Sequence, residues 1–134
     1  MMVAVAAVRI NVLWGRFRDQ NGQDPQGNEI YEIARWAWCG IQRCPLVFAC
    51  QARIIRGVYE PDEWFWCAEA RNRPELRPYA PEGSERWMEI ENDIEENRRQ
   101  AFIGHPAACA YRFIGKPAPK FTRYNPVTHI CVNV

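Results

Sequence analysis

The stretch Pro45-Leu-Val-Phe-Ala-Cys-Gln-Ala-Arg-Ile-Ile-Arg-Gly-Val-Tyr59 decides the fold. It holds two runs rich in β-branched and aromatic residues, Leu46–Gln51 and Arg53–Tyr59, close enough to pair as a hairpin. Gln51-Ala52 lacks the Asn-Gly or Asp-Gly chemistry that a two-residue loop favours, so a longer or bulged turn is predicted. On the N-terminal side, Val8, Ile10, Val12 and Trp14 alternate with Arg9, Asn11 and Leu13, which predicts a strand buried mainly on one face. Gly15–Gly27 has loop composition. Asn28 can cap a helix running to Cys39, with Gly40 as its left-handed terminator. Ile30, Ile33, Ala34, Ala37 and Trp38 would form the apolar face of that helix.

On the C-terminal side, Glu60-Pro61-Asp62-Glu63 is predicted to end the strand, and Asp62-Glu63 reads as a helix start rather than a catalytic carboxylate pair. Arg71–Gly83, with its prolines and arginines, reads as an exposed loop. Ser84 opens a second helix to about Arg99, with Trp87, Ile90 and Ile94 on one face. Its acidic beginning and Arg98-Arg99 end suit the helix dipole, so this charge run has a structural explanation. Phe102-Ile103-Gly104 reads as a short strand and Pro106–Gly115 as a short helix. Lys116–Pro126 is a basic, Pro-rich connector, and Val127–Val134 a closing strand. Together these elements predict an α+β domain spanning residues 1–134, with a mixed, mostly antiparallel sheet curled into a small β-barrel, peripheral helices, and neighbouring terminal strands.

Composition narrows the function classes. The 134 residues suit one domain with its own core, and a formal net charge of +1 leaves any attraction to polyanions to local patches. No export signal is recognisable at the N-terminus and no stretch approaches the ~20 apolar residues of a membrane span, so a cytoplasmic location, no membrane partner and reduced thiols are expected. The six cysteines contain no C-x-x-C pair and read as small core residues. His105 and His129 are the only histidines, and nothing in the spacing joins either to a thiol. No metal, no cofactor and no catalytic residue is therefore assigned. Six tryptophans are the unusual feature: Trp14, Trp38 and Trp87 read as core anchors, whereas Trp36 falls off the helical face and Trp64-Phe65-Trp66 must expose a ring. Trp36 beside Arg35, and Lys116 to Asn125 with its mixed cations and rings, suit stacking on bases and gripping phosphates.

Several motifs resemble a family of small bacterial and phage proteins similar to the PUA-like superfamily, which includes ASCH and EVE domains. They are Arg53-Ile-Ile-Arg-Gly-Val-Tyr59 with Pro61-x-x-Trp64, Phe102-Ile-Gly104, Phe113-Ile-Gly-Lys-Pro-Ala-Pro119, Asn125-Pro-Val127 and Trp14-Gly15-Arg16. The segment 67–99 has no counterpart and reads as a helix-bearing insertion. The resemblance implies a curled barrel with a cleft associated with RNA or modified bases. Trp14, Arg16, Arg35, Trp36 and Asn125 are the residues nominated for that cleft, and Lys116, Lys120 and Arg123 for phosphate contacts. The reading is a non-enzymatic module binding RNA or DNA, accessory to a mobile element or phage. Its alternative is a protein-interaction or homodimerisation module acting through Trp64, Phe65 and Trp66.

Overall fold

The computed structural model describes all of residues 1–134. The hairpin forms where the sequence places it: β2 (Leu46–Gln51) pairs antiparallel with β3 (Ile54–Trp66). Its turn is shorter than expected. Only Ala52 and Arg53 lie between the last paired residues, and both take left-handed φ angles of 51° and 65°. Positive φ at both central positions matches the right-handed twist of the strands, and here non-glycine residues adopt it at a cost. The expected irregularity lies further down, as a register shift between Ala49 and Cys50.

Pro61 does not end β3. The strand runs through it by a bulge between Pro61 and Glu63, beside β4 (Gln100–Pro106). A bulge accommodates a proline because the ladder is already interrupted there. Asp62-Glu63 is thus strand and not a helix start, and Pro106 ends β4 instead of opening a helix; only a single 3-10 turn, Ala110–Arg112, follows.

The first strand also lies earlier than the alternation suggests. β1 (Met2–Arg9) runs between β2, to which it is parallel, and β5 (Val127–Asn133), to which it is antiparallel. Being central, it is buried on both faces, with Ala6 and Val8 packed into one apolar cluster and Val5 and Ala7 into the other. A continuous apolar run is what such a strand requires. Asn11–Asn21 is then a helix, α1, opened by Trp14 N–H to Ile10 C=O and closed by Gly22 in the left-handed conformation. Gly15 and the polar residues after it give this segment loop composition, yet only Trp14 along it is buried.

The sheet order is β4-β3-β2-β1-β5, with one parallel and three antiparallel pairings. The terminal strands are neighbours, as expected. The sheet is open: β4 and β5 form its two edges and do not pair with one another. On one face pack α1 and α2 (Asn28–Ala34), around Ile10, Trp14 and Trp38. Across the other face lies the irregular chain from Ala107 to Phe121, over Phe48 and Val58. The segment 67–99 joins adjacent strands β3 and β4, its ends held by Cys67 N–H to Arg99 C=O. It carries α3 (Glu85–Glu96) and encloses a third apolar cluster with Phe65, Leu76, Ile90 and Trp36. Phe48, Phe65 and Phe102 are almost wholly buried, and burial of each such side chain contributes about 1.5–3 kcal/mol. No helix is long and apolar enough to cross a membrane.

Candidate nucleic-acid interface

Helix α2 stops at Ala34, so the helical wheel does not govern the residues beyond it. Arg35–Trp38 instead lies along the outer edge of β4: Phe102 N–H donates to Arg35 C=O, and Gln100 and Trp38 exchange both backbone bonds. This turns Trp36 inward, where its side chain is fully buried against Phe65 and its indole N–H donates to Asp93 at 3.0 Å. Arg35 is buried as well, bonded to Glu32 at 3.2 Å and to Leu76 C=O at 2.9 Å. Both residues are interior braces and are unavailable to a ligand. Phe65 is likewise core. β3 alternates its side chains, so within Trp64-Phe65-Trp66 the central ring is enclosed, Trp64 is half-buried with its N–H on Cys44 C=O, and only Trp66 stands exposed. Trp87, expected as a core anchor, is only half-buried, under the Arg77 guanidinium.

A cavity of about 700 Å³ opens between α1, α2 and the start of α3. Arg16 lines it, but its guanidinium is paired with Glu89. Four carboxylates (Glu29, Glu32, Glu85, Glu89) face only two guanidiniums (Arg16, Arg86) there. A lining of that sign repels phosphate. The cleft nominees are therefore dispersed: Trp36 and Arg35 to the interior, Arg16 to an acidic groove, Trp14 and Asn125 towards the end of the sheet.

That end carries a different arrangement. Here β1 finishes, the β2–β3 hairpin turns and β5 begins, and the 115–126 connector is laced across them. Ile55 N–H donates to Lys116 C=O, Ala118 N–H to Arg53 C=O, and Arg9 N–H to Pro126 C=O. Arg9 also reaches Arg123 C=O through its guanidinium and sits 5.4 Å from the centre of the Phe121 ring. Arg56 lies 5.4 Å over the Trp14 indole, and Arg123 5.2 Å over the Tyr124 ring. Six cations thus gather from separate segments: Arg9, Arg53, Arg56, Lys116, Lys120 and Arg123. None of them has a carboxylate within ion-pair distance; elsewhere Arg16, Arg18, Arg35, Arg73, Arg77, Arg86, Arg98 and Arg99 do, and Arg43, Arg71 and Arg112, which are scattered, do not. Tyr124 is 84% exposed, and Asn125 caps the start of β5 by accepting from Val127 N–H.

Of the sequence nominees, Lys116, Lys120, Arg123 and Asn125 are brought together here. Trp14 contributes from beneath Arg56 with its N–H held by Asp24 at 3.1 Å. Arg9, Arg53 and Arg56 join them from segments that carry no binding motif, but a signal for this side of the molecule exists in the sequence: no Asp or Glu occurs after Glu96, or between Ile33 and Tyr59.

His105 has Asp62 at 3.0 Å from Nδ1 and Glu60 at 3.5 Å from Nε2, an exposed cation site with no nucleophile beside it. All six cysteines are free, and burial pushes the Cys50 and Cys67 thiols up to about 12, away from thiolate chemistry. No group of three His, Cys, Asp or Glu side chains is placed to hold a metal ion. Scans against family models, curated proteins and solved structures find no match.

Proposed function

We propose that this chain is a non-enzymatic nucleic-acid-binding module whose interface is the basic end of the sheet. The observation that carries this reading is the convergence of six cations without carboxylate partners, in a protein whose net charge is only +1. Unpaired cations beside an exposed ring suit single-stranded RNA or DNA, with the guanidiniums and ammoniums on phosphates and Tyr124 stacked on a base. The PUA-like resemblance points to the same ligand class. The site proposed here, however, is the end of an open sheet and not a cleft beside a closed barrel.

The test is fluorescence anisotropy with labelled single-stranded RNA and DNA oligonucleotides over a range of salt. If all six cations meet phosphates, log K falls with log[salt] with a slope of about −4. Lys120→Ala with Arg123→Ala should weaken binding to all sequences alike and make the slope shallower by about 1.4. Absence of binding at low salt, or binding indifferent to this double substitution, would overturn the proposal.

A further inference from the structure

The two edges of the sheet are treated differently by the chain. Along β4 the outward N–H groups are all taken: Gln100 by Trp38 C=O, Phe102 by Arg35 C=O, and Gly104 by the Tyr31 hydroxyl. Along β5 only side chains are engaged in this way, the His129 ring by Gln42 N–H and Asn133 Oδ1 by the Met1 amine, and the outward backbone groups beyond Val127 N–H have no partner. The phase of β5 follows from two bonds at its ends, Arg9 N–H to Pro126 C=O and Val134 N–H to Met1 C=O. Hydrogen-bonded pairs alternate in an antiparallel ladder, so the even-numbered residues of β5 bond to β1 and the odd-numbered ones point outward. The outward N–H of Val127 is already held by Asn125 Oδ1, which leaves His129, Cys131 and Asn133 as the open edge. This edge has none of the usual protection: Val127–Asn133 contains no Lys, Arg, Asp, Glu or Pro, and its register with β1 is unbroken.

We infer that β5 pairs antiparallel with β5 of a second copy of this chain, about a two-fold axis at Cys131. Three open residues spaced evenly about Cys131 are self-complementary: Cys131 opposes Cys131 of the second copy, and His129 opposes Asn133. Six backbone hydrogen bonds result, and of the outward groups on this edge only the Val127 C=O is left without a partner. The intervening pairs match as well. Ile130 would face Val132 on the side where both already form a half-buried apolar row. Antiparallel pairing also sets the basic ends of the two copies at opposite ends of the new ribbon, where a parallel arrangement would bring Arg9 and Arg123 of both together. An axis at Ile130 would instead require the Val127 N–H that Asn125 occupies. The pairing is independent of nucleic-acid binding, since none of the six cations lies on β5.

Sedimentation equilibrium under reducing conditions should show a mass that doubles with rising concentration. Cys131→Lys, which sets like charges against each other on the axis, should return the monomer with an unchanged far-UV circular dichroism spectrum. A second measurement needs no variant that must fold. Directly opposed Cα atoms in such a pair stand about 5.5 Å apart, within the roughly 4.4–6.8 Å that a disulfide spans. Copper–phenanthroline should therefore oxidise the two thiols, taking two electrons and two protons, to a Cys131–Cys131 link identified by peptide mapping. A chain that stays monomeric at the highest concentration reached would overturn the inference, leaving the edge to an extended segment of another protein. So would a dimer untouched by Cys131→Lys, or one whose cross-link maps only to Cys39.

Discussion

Trp36 donates its indole N–H to Asp93 Oδ2 at 3.0 Å, tying the strap along β4 to the middle of α3. The bond joins a fully buried ring to the helix that packs over it. Burial raises the Asp93 carboxyl above its ordinary range, while the Trp36 bond and the nearby Arg99 and Arg86 act in the opposite direction. A carboxyl whose folded pKa is raised binds its proton more tightly in the folded state. Asp93 therefore lowers stability progressively as pH rises from the ordinary Asp value through its elevated one. Asp93→Asn keeps an acceptor for Trp36 without the charge, so its stability relative to the native chain should improve as pH rises from 4 to 7. Asp93→Ala leaves the indole unsatisfied and should cost about 1–3 kcal/mol. Urea titrations at both pH values check this; an Asp93→Asn deficit that is the same at each would refute it.

Ser84 accepts a hydrogen bond from Trp87 N–H at 3.1 Å and so caps α3. Ser84→Ala should cost about 1 kcal/mol in chemical denaturation, and Ser84→Asp should recover it, because a carboxylate there also meets the positive end of the helix. Equal losses in both variants would show that the cap contributes nothing.

Whether an element was legible in the sequence depended on whether its signal was local. Ser84 and the α3 face, the hairpin runs and the closing strand all carry their chemistry within a few residues, and they appear close to where the pattern puts them. The exception is that α3 ends at Glu96 with Asn97 left-handed, so Arg98-Arg99 lie beyond the helix and not in its last turn. β1 is not legible from alternation, because a strand covered on both faces does not alternate, and the alternation from Val8 to Trp14 spans the strand end and the first turn of α1. The helical phase that would turn Trp36 outward does not apply, because α2 ends at Ala34; the burial of Trp36 and Arg35 is decided by β4, α3 and Leu76, far away in sequence. The basic site shows the same division. Its connector half, from Lys116 to Asn125, is contiguous and was visible. Arg9, Arg53 and Arg56 join only because parallel β1–β2 pairing and the hairpin turn bring three segments to one end.

His105 should titrate above its ordinary value, because its ring is bonded to Asp62 and lies near Glu60, and both favour the imidazolium. A histidine whose folded pKa is raised contributes its stabilisation fully below the unfolded value of about 6.5 and loses it as pH rises through the elevated one. A proton NMR titration of the His105 ring checks the direction. Asp62→Asn should bring the midpoint down, and an unmoved midpoint would show that the Asp62 contact does not persist in solution.

The Ala52-Arg53 turn sets stability against binding at one position. Both residues hold positive φ, a conformation that costs L-residues roughly 1–2 kcal/mol each. Replacing them by Asn-Gly supplies the chemistry this turn favours, and should stabilise the fold by about 1 kcal/mol or more. The same change removes Arg53, one of the six cations at the basic end, and should weaken oligonucleotide binding and its salt dependence. Ala52→Asn alone should capture part of the stabilisation and leave binding unaltered. Thermal melts and anisotropy on the same three proteins separate the two effects. If Asn-Gly raises the melting temperature and binding is unchanged, Arg53 does not meet phosphate; if the melting temperature falls, the arginine side chain holds the turn through contacts that outweigh its backbone cost.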